Sequence, residues 1–345
     1  NLSIENKGTL TLETTHFTVI GNSTLNLSNM VDASMTDLSI DVLAGYAYIQ
    51  NIGSLTITNG YFKDQNDGTF VYNYGEATLS DCNFVANGAK GKIEIFSSGD
   101  LELNNGNFDI NYGGKVNMNT LTGTIAVDEL DVDVSGSSHG ERSSLNVLTA
   151  NSTWNKCNFV NNGGTINYLI TGELNSNEFS VSQSGTDSIT IFSCSGGPTA
   201  FKNFQFSGSG SMSLTNWDSM NLVDTSFESS NSLTVMNNAK LTTENWRLKT
   251  TSSDARITVY VGEDGNLSFD ESFIENVSRE TLISVGSEGQ EFVESSGGII
   301  TVTNNGALTQ QSSRGSGLEF FLYVLIIVAA VAVALYVILK NRKKS

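Results

Sequence analysis

Short stretches in which apolar and polar residues alternate recur along most of the chain. Ile93-Glu94-Ile95, Ile166-Asn167-Tyr168 and Leu233-Thr234-Val235 are three of them, and Gly, Asn, Asp and Ser residues separate one stretch from the next. Alternation at a period of two is typical of β-strands with one buried face. The segments between the stretches are too short for connecting helices and lack a helical periodicity. The pattern therefore predicts an all-β domain built from short strands.

A second pattern is a large aromatic residue that returns in the same local frame, after a glycine and an aliphatic pair. The residues of this series are Phe62, Phe84, Phe108, Phe159, Phe179, Phe204, Phe227, Trp246 and Phe273, preceded by Phe17. The intervals from Phe17 to Phe62 and from Phe108 to Phe159 are nearly double the others, so two repeats lack their aromatic residue. With these restored, the period is about 23 residues, which is typical of stacked supersecondary units. We expect one inward aromatic residue per coil, stacked in a single column.

Together the two patterns predict a single-stranded right-handed parallel β-helix, a solenoid whose coils of about 23 residues each hold three short strands. An antiparallel β-sandwich or a series of immunoglobulin-like domains is the alternative, but hairpin spacing would not keep an aromatic residue in register. An asparagine directly precedes the aromatic residue in several repeats, at Asn83, Asn107, Asn158, Asn203 and Asn245. Stacked amides can form hydrogen-bonded ladders, so these residues are expected either to form a ladder or to face water.

Residues 320–339 are apolar or aromatic without interruption. A helix of this length spans about 30 Å, the thickness of the hydrocarbon core of a bilayer. Lys340, Arg342, Lys343 and Lys344 follow it, and positive charge is retained on the cytoplasmic side, so the N-terminal part is expected outside the cell. The predicted organisation is a β-helical ectodomain (1–306, with further coils upstream), a juxtamembrane linker (307–317), one transmembrane α-helix (318–339) and a basic cytoplasmic tail (340–345).

Charge and cysteine content exclude several classes of site. The formal net charge of −18 disfavours contact with phosphate backbones, so nucleic-acid binding is not expected. Cys82 and Cys157 share a repeat position about three coils apart, too far for a disulfide, and are interpreted as small inward packing residues. Gly136-Ser137-Ser138-His139-Gly140 matches the spacing of a hydrolase nucleophile motif, but no helix pattern follows it, which indicates a polar loop.

Two kinds of candidate site remain. Asp128, Glu129, Asp131 and Asp133 could bind calcium, although acids that alternate with apolar residues are also what an ordinary solvated strand face requires. Asn-x-Ser/Thr sequences occur at Asn1, Asn22, Asn26, Asn151, Asn266 and Asn276, and the outward topology would allow their glycosylation in a eukaryote. No catalytic residue and no cofactor other than calcium is predicted.

A short motif recurs at Phe84-Val85-Ala86-Asn87, Phe108-Asp109-Ile110-Asn111, Phe159-Val160-Asn161-Asn162 and Phe273-Ile274-Glu275-Asn276. It resembles the Phe-x-x-Asn signature of polymorphic outer-membrane-protein repeats, and Gly163-Gly164-Thr165-Ile166 and Gly297-Gly298-Ile299-Ile300 resemble the second motif of that family. The resemblance implies a pectin-lyase-like β-helix with an adhesive role at the cell surface.

The expected function is therefore that of a single-pass surface protein whose β-helix is a non-catalytic structural or adhesive spacer. Its expected partners are the lipid bilayer, through residues 320–339, and extracellular glycans or other surface proteins. The alternative is a membrane-tethered carbohydrate-active enzyme, similar to a polysaccharide lyase or hydrolase, or a glycan-binding protein. Carboxylates clustered with Lys, Arg or His on one face of the coils would indicate the enzyme.

Overall fold

A computed structural model describes residues 1–120, 122–138, 141–252, 255–261, 266–270, 273–276, 280–286, 299–305 and 307–311. In chain order its strands are β1 (Leu2–Asn6), β2 (Leu10–Val19), β3 (Thr24–Asn29), β4 (Ala33–Val42), β5 (Tyr46–Asn51), β6 (Leu55–Thr58), β7 (Tyr61–Asp64), β8 (Gly68–Asn73), β9 (Ala77–Ser80), β10 (Asn83–Asn87), β11 (Lys92–Ser97), β12 (Leu101–Asn111), β13 (Lys115–Thr120), β14 (Thr124–Ser135), β15 (Ser137–Ser138), β16 (Glu141–Arg142), β17 (Ser144–Thr149), β18 (Asn151–Asn162), β19 (Thr165–Ile170), β20 (Leu174–Ser184), β21 (Ile189–Cys194), β22 (Thr199–Lys202), β23 (Gln205–Gly208), β24 (Ser211–Asn216), β25 (Met220–Val223), β26 (Ser226–Ser229), β27 (Ser232–Asn237), β28 (Lys240–Glu244), β29 (Arg247–Thr250), β30 (Arg256–Val261), β31 (Asn266–Asp270), β32 (Phe273–Asn276), β33 (Glu280–Gly286), β34 (Ile299–Asn305) and β35 (Ala307–Gln311).

Two long parallel sheets run the length of the molecule. Sheet A has 14 strands in the order β1-β3-β5-β8-β11-β13-β17-β19-β21-β24-β27-β30-β33-β34. Sheet B has 19 strands, which alternate with those of sheet A along the chain. Each coil contributes one strand to sheet A and then two segments to sheet B, which pair in register with the coils before and after. The prediction of an all-β parallel solenoid of the right-handed type, with coils of about 23 residues, is confirmed, and the structure has about 11 turns.

The structure describes only a small part of the predicted C-terminal segments. Strand β35 pairs with β31, so strand structure continues into the segment 307–317 that the sequence suggested as a linker. The predicted membrane helix lies outside the described residues, and so does the basic tail. Among the residues that the structure describes, none forms a helix of the length and apolarity needed to cross a membrane.

In the part of the chain that the structure describes, eleven coils each bend once within sheet B at a residue with positive φ. These residues are Thr14, Asp37, Asn59, Asp81, Asn105, Glu129, Lys156, Glu178, Asn203, Asp224 and Asn245, and together they form the bend column, with φ from 46 to 59°. The left-handed conformation costs most L-residues about 1–2 kcal/mol, and Asn and Asp tolerate it best. This preference explains why Asn or Asp fills seven of the eleven positions.

Acidic residues in the bend column alternate with an amide or a lysine. The Nδ2 atom of Asn105 donates to Asp81 Oδ1 at 2.6 Å, and Lys156 Nζ lies 2.7 Å from Glu129 Oε1. That contact with Glu129 raises the pKa of Lys156. Carboxylates on directly paired strands would repel one another, so the alternation removes a repulsion that stacking would otherwise create.

Inward side chains after the bend form two neighbouring columns. One holds Phe62, Phe84, Phe108, Val132, Phe159, Val181, Phe206, Phe227 and Leu248. The other, two residues earlier in each coil, holds Gly60, Cys82, Gly106, Leu130, Cys157, Phe179, Phe204, Thr225 and Trp246. A Cβ atom on Gly60 would lie 2.8 Å from Phe62 Cε2, so the small residue in one column makes room for the ring in the other.

The single aromatic column expected from the sequence is thus two columns in the structure. Phe179, Phe204 and Trp246 belong to the earlier column, and every aromatic residue of the series from Phe62 to Trp246 is buried. The two repeats without an aromatic residue place Ile40 and Val132 in the later column. The backbone of Phe273 pairs with Arg247, one residue before the register of Leu248, and its side chain lies outside the described residues.

A buried asparagine ladder forms at the end of the sheet A strands, not at the positions expected from the sequence. Its members Asn6, Asn29, Asn51 and Asn73 are joined by Nδ2–Oδ1 hydrogen bonds of 2.7, 2.9 and 3.0 Å. Of the expected ladder, Asn203 and Asn245 belong to the bend column. Asn83, Asn107 and Asn158 lie in an outward column of sheet B, where Asn107 Nδ2 donates to Asn83 Oδ1 at 3.1 Å.

We expect Asn51→Ala to lower the free energy of unfolding by about 1–3 kcal/mol or more, because buried partners of its amide would lose their hydrogen bonds. Asn51 Nδ2 donates to Asn73 Oδ1 and to the Gly53 carbonyl, and Asn51 Oδ1 accepts from Asn29. Urea unfolding followed by circular dichroism measures the change. The exposed Asn221 provides the control, and equal midpoints for Asn51→Ala and Asn221→Ala would contradict a stabilising ladder.

Candidate functional site

Outward-facing aromatic side chains concentrate on sheet A. Six of them, Tyr46, Tyr48, Phe70, Tyr72, Tyr74 and Phe96, project from β5, β8 and β11 or from the turn after β8, and we call this group the aromatic face. Tyr46 is 41% exposed and Tyr74 is 57% exposed, while the other four rings are half-buried. Contiguous exposed apolar surface is a common feature of interaction sites, so this group is the candidate interaction site.

The strand pattern explains why these rings point outward. In the sheet A strands from β3 to β27 the second, fourth and sixth residues are buried, as Ile93, Ile95 and Ser97 are in β11. The first, third and fifth residues therefore face solvent, and in β5, β8 and β11 these positions are rich in aromatic residues. Register places Tyr48 beside Phe70 and Tyr72 beside Phe96, so the rings of successive coils meet.

Ring contacts connect the whole aromatic face. The Tyr48 and Phe70 rings are 5.0 Å apart at an interplanar angle of 11°, and Phe70 lies 5.8 Å from Tyr72. The Phe96 ring is turned by 70° relative to Tyr72 and by 65° relative to Tyr74. The face therefore offers ring edges and phenol hydroxyls along one line and a differently oriented ring at the end of that line.

Gly68 allows the Phe70 ring to lie back over the strand. A Cβ atom at position 68 would be 2.5 Å from Phe70 Cε2 and 2.7 Å from Phe70 Cζ. Atoms this close would displace the ring. The glycine at the first position of β8 is therefore required for the position of the Phe70 ring in the aromatic face.

One ion pair lies within the aromatic face and makes it locally neutral. Lys92 Nζ is 2.6 Å from Glu94 Oε2 and lies 5.4 Å from the centroid of the Phe70 ring, a cation–π arrangement. Partial burial and the neighbouring Glu94 raise the pKa of Tyr72 to about 12, and the Tyr72 hydroxyl lies 3.4 Å from Glu94 Oε1. The phenol therefore stays protonated at physiological pH, with its O–H directed at the Glu94 carboxylate.

Beyond the aromatic face, sheet A carries outward asparagines at the same strand positions. Asn117, Asn146 and Asn167 follow Glu94 in register on β13, β17 and β19, and we call them the amide row. Asn146 Nδ2 donates to Asn117 Oδ1 and Asn167 Nδ2 donates to Asn146 Oδ1, each at 2.9 Å. The exposed Leu148 and Leu169 lie beside the row.

The acidic candidates of β14 lie far from this surface, on sheet B. Asp128 accepts a hydrogen bond from Asn155 Nδ2 at 2.5 Å, and Glu129 pairs with Lys156. Partial shielding from solvent raises the pKa of Asp133, and Asp109 on the preceding coil adds to the shift. Within the described residues no group of three or more His, Cys, Asp or Glu side chains is arranged to hold a metal ion, and calcium binding at β14 stays a prediction.

The sequons occupy different environments. Asn22 is exposed in a turn, Asn26 faces outward from β3 beside Tyr48, and the side chains of Asn1 and Asn151 accept backbone hydrogen bonds from Thr24 and Glu173. Asn266 begins β31 and Asn276 ends β32, and their side chains lie outside the described residues. Glycosylation at these positions stays a prediction.

The cysteines are buried, and the nucleophile-like motif is described only in part. Cys82, Cys157 and Cys194 are buried free thiols, and burial raises their pKa values to about 11, 12 and 11. Ser137–Ser138 and Glu141–Arg142 form a small antiparallel hairpin between two coils. His139 and Gly140 of that motif lie outside the described residues.

A serine–histidine contact on sheet B was not anticipated from the sequence. His16 Nδ1 lies 2.9 Å from Ser39 Oγ, which is the contact that a serine nucleophile requires. The second ring nitrogen of His16 is 3.0 Å from Thr18 Oγ1, where a catalytic triad has a carboxylate. Because His16 also lies exposed on a strand surface, we interpret this contact as a surface hydrogen-bond chain.

The aromatic face was also missed by the sequence reasoning, which treated the aromatic residues as inward. A signal was present: in Tyr46-Ala47-Tyr48-Ile49 and Phe70-Val71-Tyr72 the rings alternate with aliphatic residues. When both sets are apolar, alternation alone does not say which set is buried. No protein-family model, curated protein or solved structure matches the chain in the comparisons made.

Proposed function

We propose that this chain is a single-pass cell-surface protein whose β-solenoid binds neutral glycans through the aromatic face and does not catalyse their cleavage. The aromatic face is the observation that carries the proposal. A sugar ring has C–H groups on its faces and hydroxyls around its rim, which fits a surface where aromatic carbon alternates with phenol and amide groups.

Charge supports an uncharged ligand. The ion pair between Lys92 and Glu94 leaves the aromatic face neutral, whereas the whole chain has a net charge of −18. An anionic polysaccharide would be repelled by that field. A neutral glycan is not repelled in this way.

Binding is favoured over hydrolysis by the composition of the same surface. Glycoside hydrolysis by the usual route requires two carboxyl groups about 5–9.5 Å apart. On the fully described outward surface of sheet A from β5 to β19, Glu94 is the one carboxylate, and Lys92 is bonded to it. A second carboxylate would have to come from elsewhere.

The location at the cell surface rests on residues 320–339 and on the family resemblance. The apolar segment with its basic tail favours one membrane span with the solenoid outside. The Phe-x-x-Asn segments resemble repeats of polymorphic outer-membrane proteins, whose surface β-helices are adhesive. Both considerations support an adhesive role, and the pectin-lyase-like assignment is part of this proposal.

Glycan-array binding of the full-length chain in lipid nanodiscs tests the proposal. We expect retention on neutral glycans, an affinity loss of about tenfold for Phe70→Ala, and a change of less than about twofold for Tyr61→Ala. Tyr61 is a matched control because it is 37% exposed on an outward position of sheet B. Gly68→Ala keeps all six rings but displaces the Phe70 ring, so it should also weaken binding.

Three results would overturn the proposal. The first is no binding to any glycan, and the second is binding that Phe70→Ala and Gly68→Ala leave unchanged. The third is release of new reducing ends or unsaturated sugars from a bound polysaccharide, which would support the carbohydrate-active enzyme instead. Capture of a protein partner without glycan binding gives the first result.

A further inference from the structure

The amide row extends the aromatic face in a straight line. Glu94 on β11 is followed in register by Asn117, Asn146 and Asn167. All three amides are half-buried with their polar ends at the outward surface. Because the strands of sheet A are parallel and in register, the line runs along the axis of the solenoid.

The amide row retains hydrogen-bonding capacity for a ligand. Each amide has two N–H donors and an oxygen with two acceptor sites. The row itself uses one N–H of Asn146 and one of Asn167, and the contact of Asn146 Nδ2 with Ser144 Oγ, at 3.5 Å, is too long to compete with a ligand. The remaining donors and acceptors repeat once per coil.

The dimensions of this surface suit an extended chain. Six strands, β5, β8, β11, β13, β17 and β19, carry the aromatic face and the amide row. At about 4.8 Å between neighbouring strands they cover about 24 Å along the axis. The spacing of one coil is close to the length of one sugar residue in an extended polysaccharide.

The charges beside the line are paired. Lys92 is bonded to Glu94, and Lys115, at the edge of the line on β13, is 2.9 Å from Glu141. An uncharged hydroxyl-rich chain therefore meets neither a free cation nor a free carboxylate among these side chains. A charged polysaccharide would have to break one of the two pairs.

We propose that the aromatic face and the amide row form one continuous site for a linear, uncharged polysaccharide that lies parallel to the solenoid axis, with about one sugar residue per coil. This inference rests on the proposed glycan-binding function and adds to it the orientation, the length and the polar half of the site. The rings bind one end of the chain segment, and the amides bind the hydroxyls of the other end.

Isothermal titration calorimetry on the full-length chain tests the inference with cello-, laminari-, manno- and chito-oligosaccharides of three to eight residues. Affinity for the best class should rise with length up to about six residues and then level off, because six strands carry the site. Asn146→Ala should weaken binding of the hexasaccharide by about three- to tenfold, as expected for lost hydrogen bonds, and leave the trisaccharide unchanged.

Asn107→Ala is the matched control because it removes the same kind of amide-to-amide bond from the outward surface of sheet B. It should leave the affinity for both lengths unchanged. Affinity that is independent of length, or loss in Asn107→Ala as large as in Asn146→Ala, would overturn the axial site. If Phe70→Ala still weakened binding in that case, the proposed function would stand; binding of none of the four classes at any length would overturn both.

Discussion

Replacing Phe84 with alanine is expected to lower the free energy of unfolding by about 3–5 kcal/mol, the usual cost of removing a buried aromatic ring. Phe84 is fully buried between Phe62 and Phe108, whose ring centroids are each 5.0 Å away. The alanine leaves a cavity that Cys82 and Ala86, the inward residues two positions before and after it, are too small to fill. Chemical denaturation followed by tryptophan fluorescence and circular dichroism measures the loss.

Phe70→Ala provides the comparison, because the same substitution is then made on the outward surface of sheet A. It should cost no more than about 1 kcal/mol, the scale of an outward cross-strand pair. Hydrogen exchange should further show that Phe84→Ala weakens protection mainly in β7, β10 and β12, since each coil contacts chiefly its neighbours. Equal losses for the two variants would contradict the inward position of Phe84.

Asp64→Asn is expected to stabilise the protein at pH 8 by up to about 4 kcal/mol and to change little at pH 4. Burial raises the pKa of Asp64 to about 7 from its ordinary value of 3.8, although the backbone N–H of Lys92 and the hydroxyl of Thr69 donate to its carboxyl oxygens. A raised pKa means that the folded state prefers the protonated carboxyl. The associated stability is complete below pH 3.8 and is lost as the pH rises to about 7.

Asparagine reproduces the shape of the protonated acid and does not ionise. Thermal unfolding of both proteins from pH 4 to pH 8 should give curves that agree at low pH and separate as the pH rises. Asp187→Asn, in an exposed turn, controls for the loss of one negative charge. A constant difference between Asp64→Asn and the parent across this range would show that the Asp64 carboxyl does not titrate against folding.

The solenoid was predictable because its two signals are local and repeated. Ile93-Glu94-Ile95 and its counterparts show the strand period directly, and the recurrence of Phe84, Phe108 and Phe159 shows the coil length. A bulky residue is required once per coil to fill the interior between the sheets. The sequence therefore shows the period of about 23 residues even where Ile40 or Val132 replaces the aromatic ring.

The period does not predict which of the two inward columns holds each aromatic ring. Two inward positions, one and three residues after the bend, share the same space, and either can hold the large side chain. In one coil Cys157 accompanies Phe159, and in the next Phe179 accompanies Val181. Only the bend residue distinguishes the two positions, and its identity varies from Asp to Lys.

The burial of the Asp64 carboxyl was not predictable from the sequence, for a different reason. Its sequence neighbours Gln65, Asn66 and Asp67 indicate a turn, and the turn is present, but Asp64 itself ends β7 with its side chain inward. Burial of a carboxyl depends on partners from other coils, here Lys92 on β11. Such a partner is far away in the sequence and near only after the coils have stacked.

The alternation of acids in the bend column determines which coils can be lost or duplicated without bringing two carboxylates together. Removing the one coil that carries Asn59 would place Asp37 against Asp81, about 4.8 Å apart along the stack. Removing two coils, with Asn59 and Asp81, would instead place Asp37 against Asn105 and keep every carboxylate beside a neutral or basic neighbour. Loss of one coil with an amide, or duplication of one coil with an acid, thus brings two carboxylates together, whereas loss or duplication of two adjacent coils keeps the alternation.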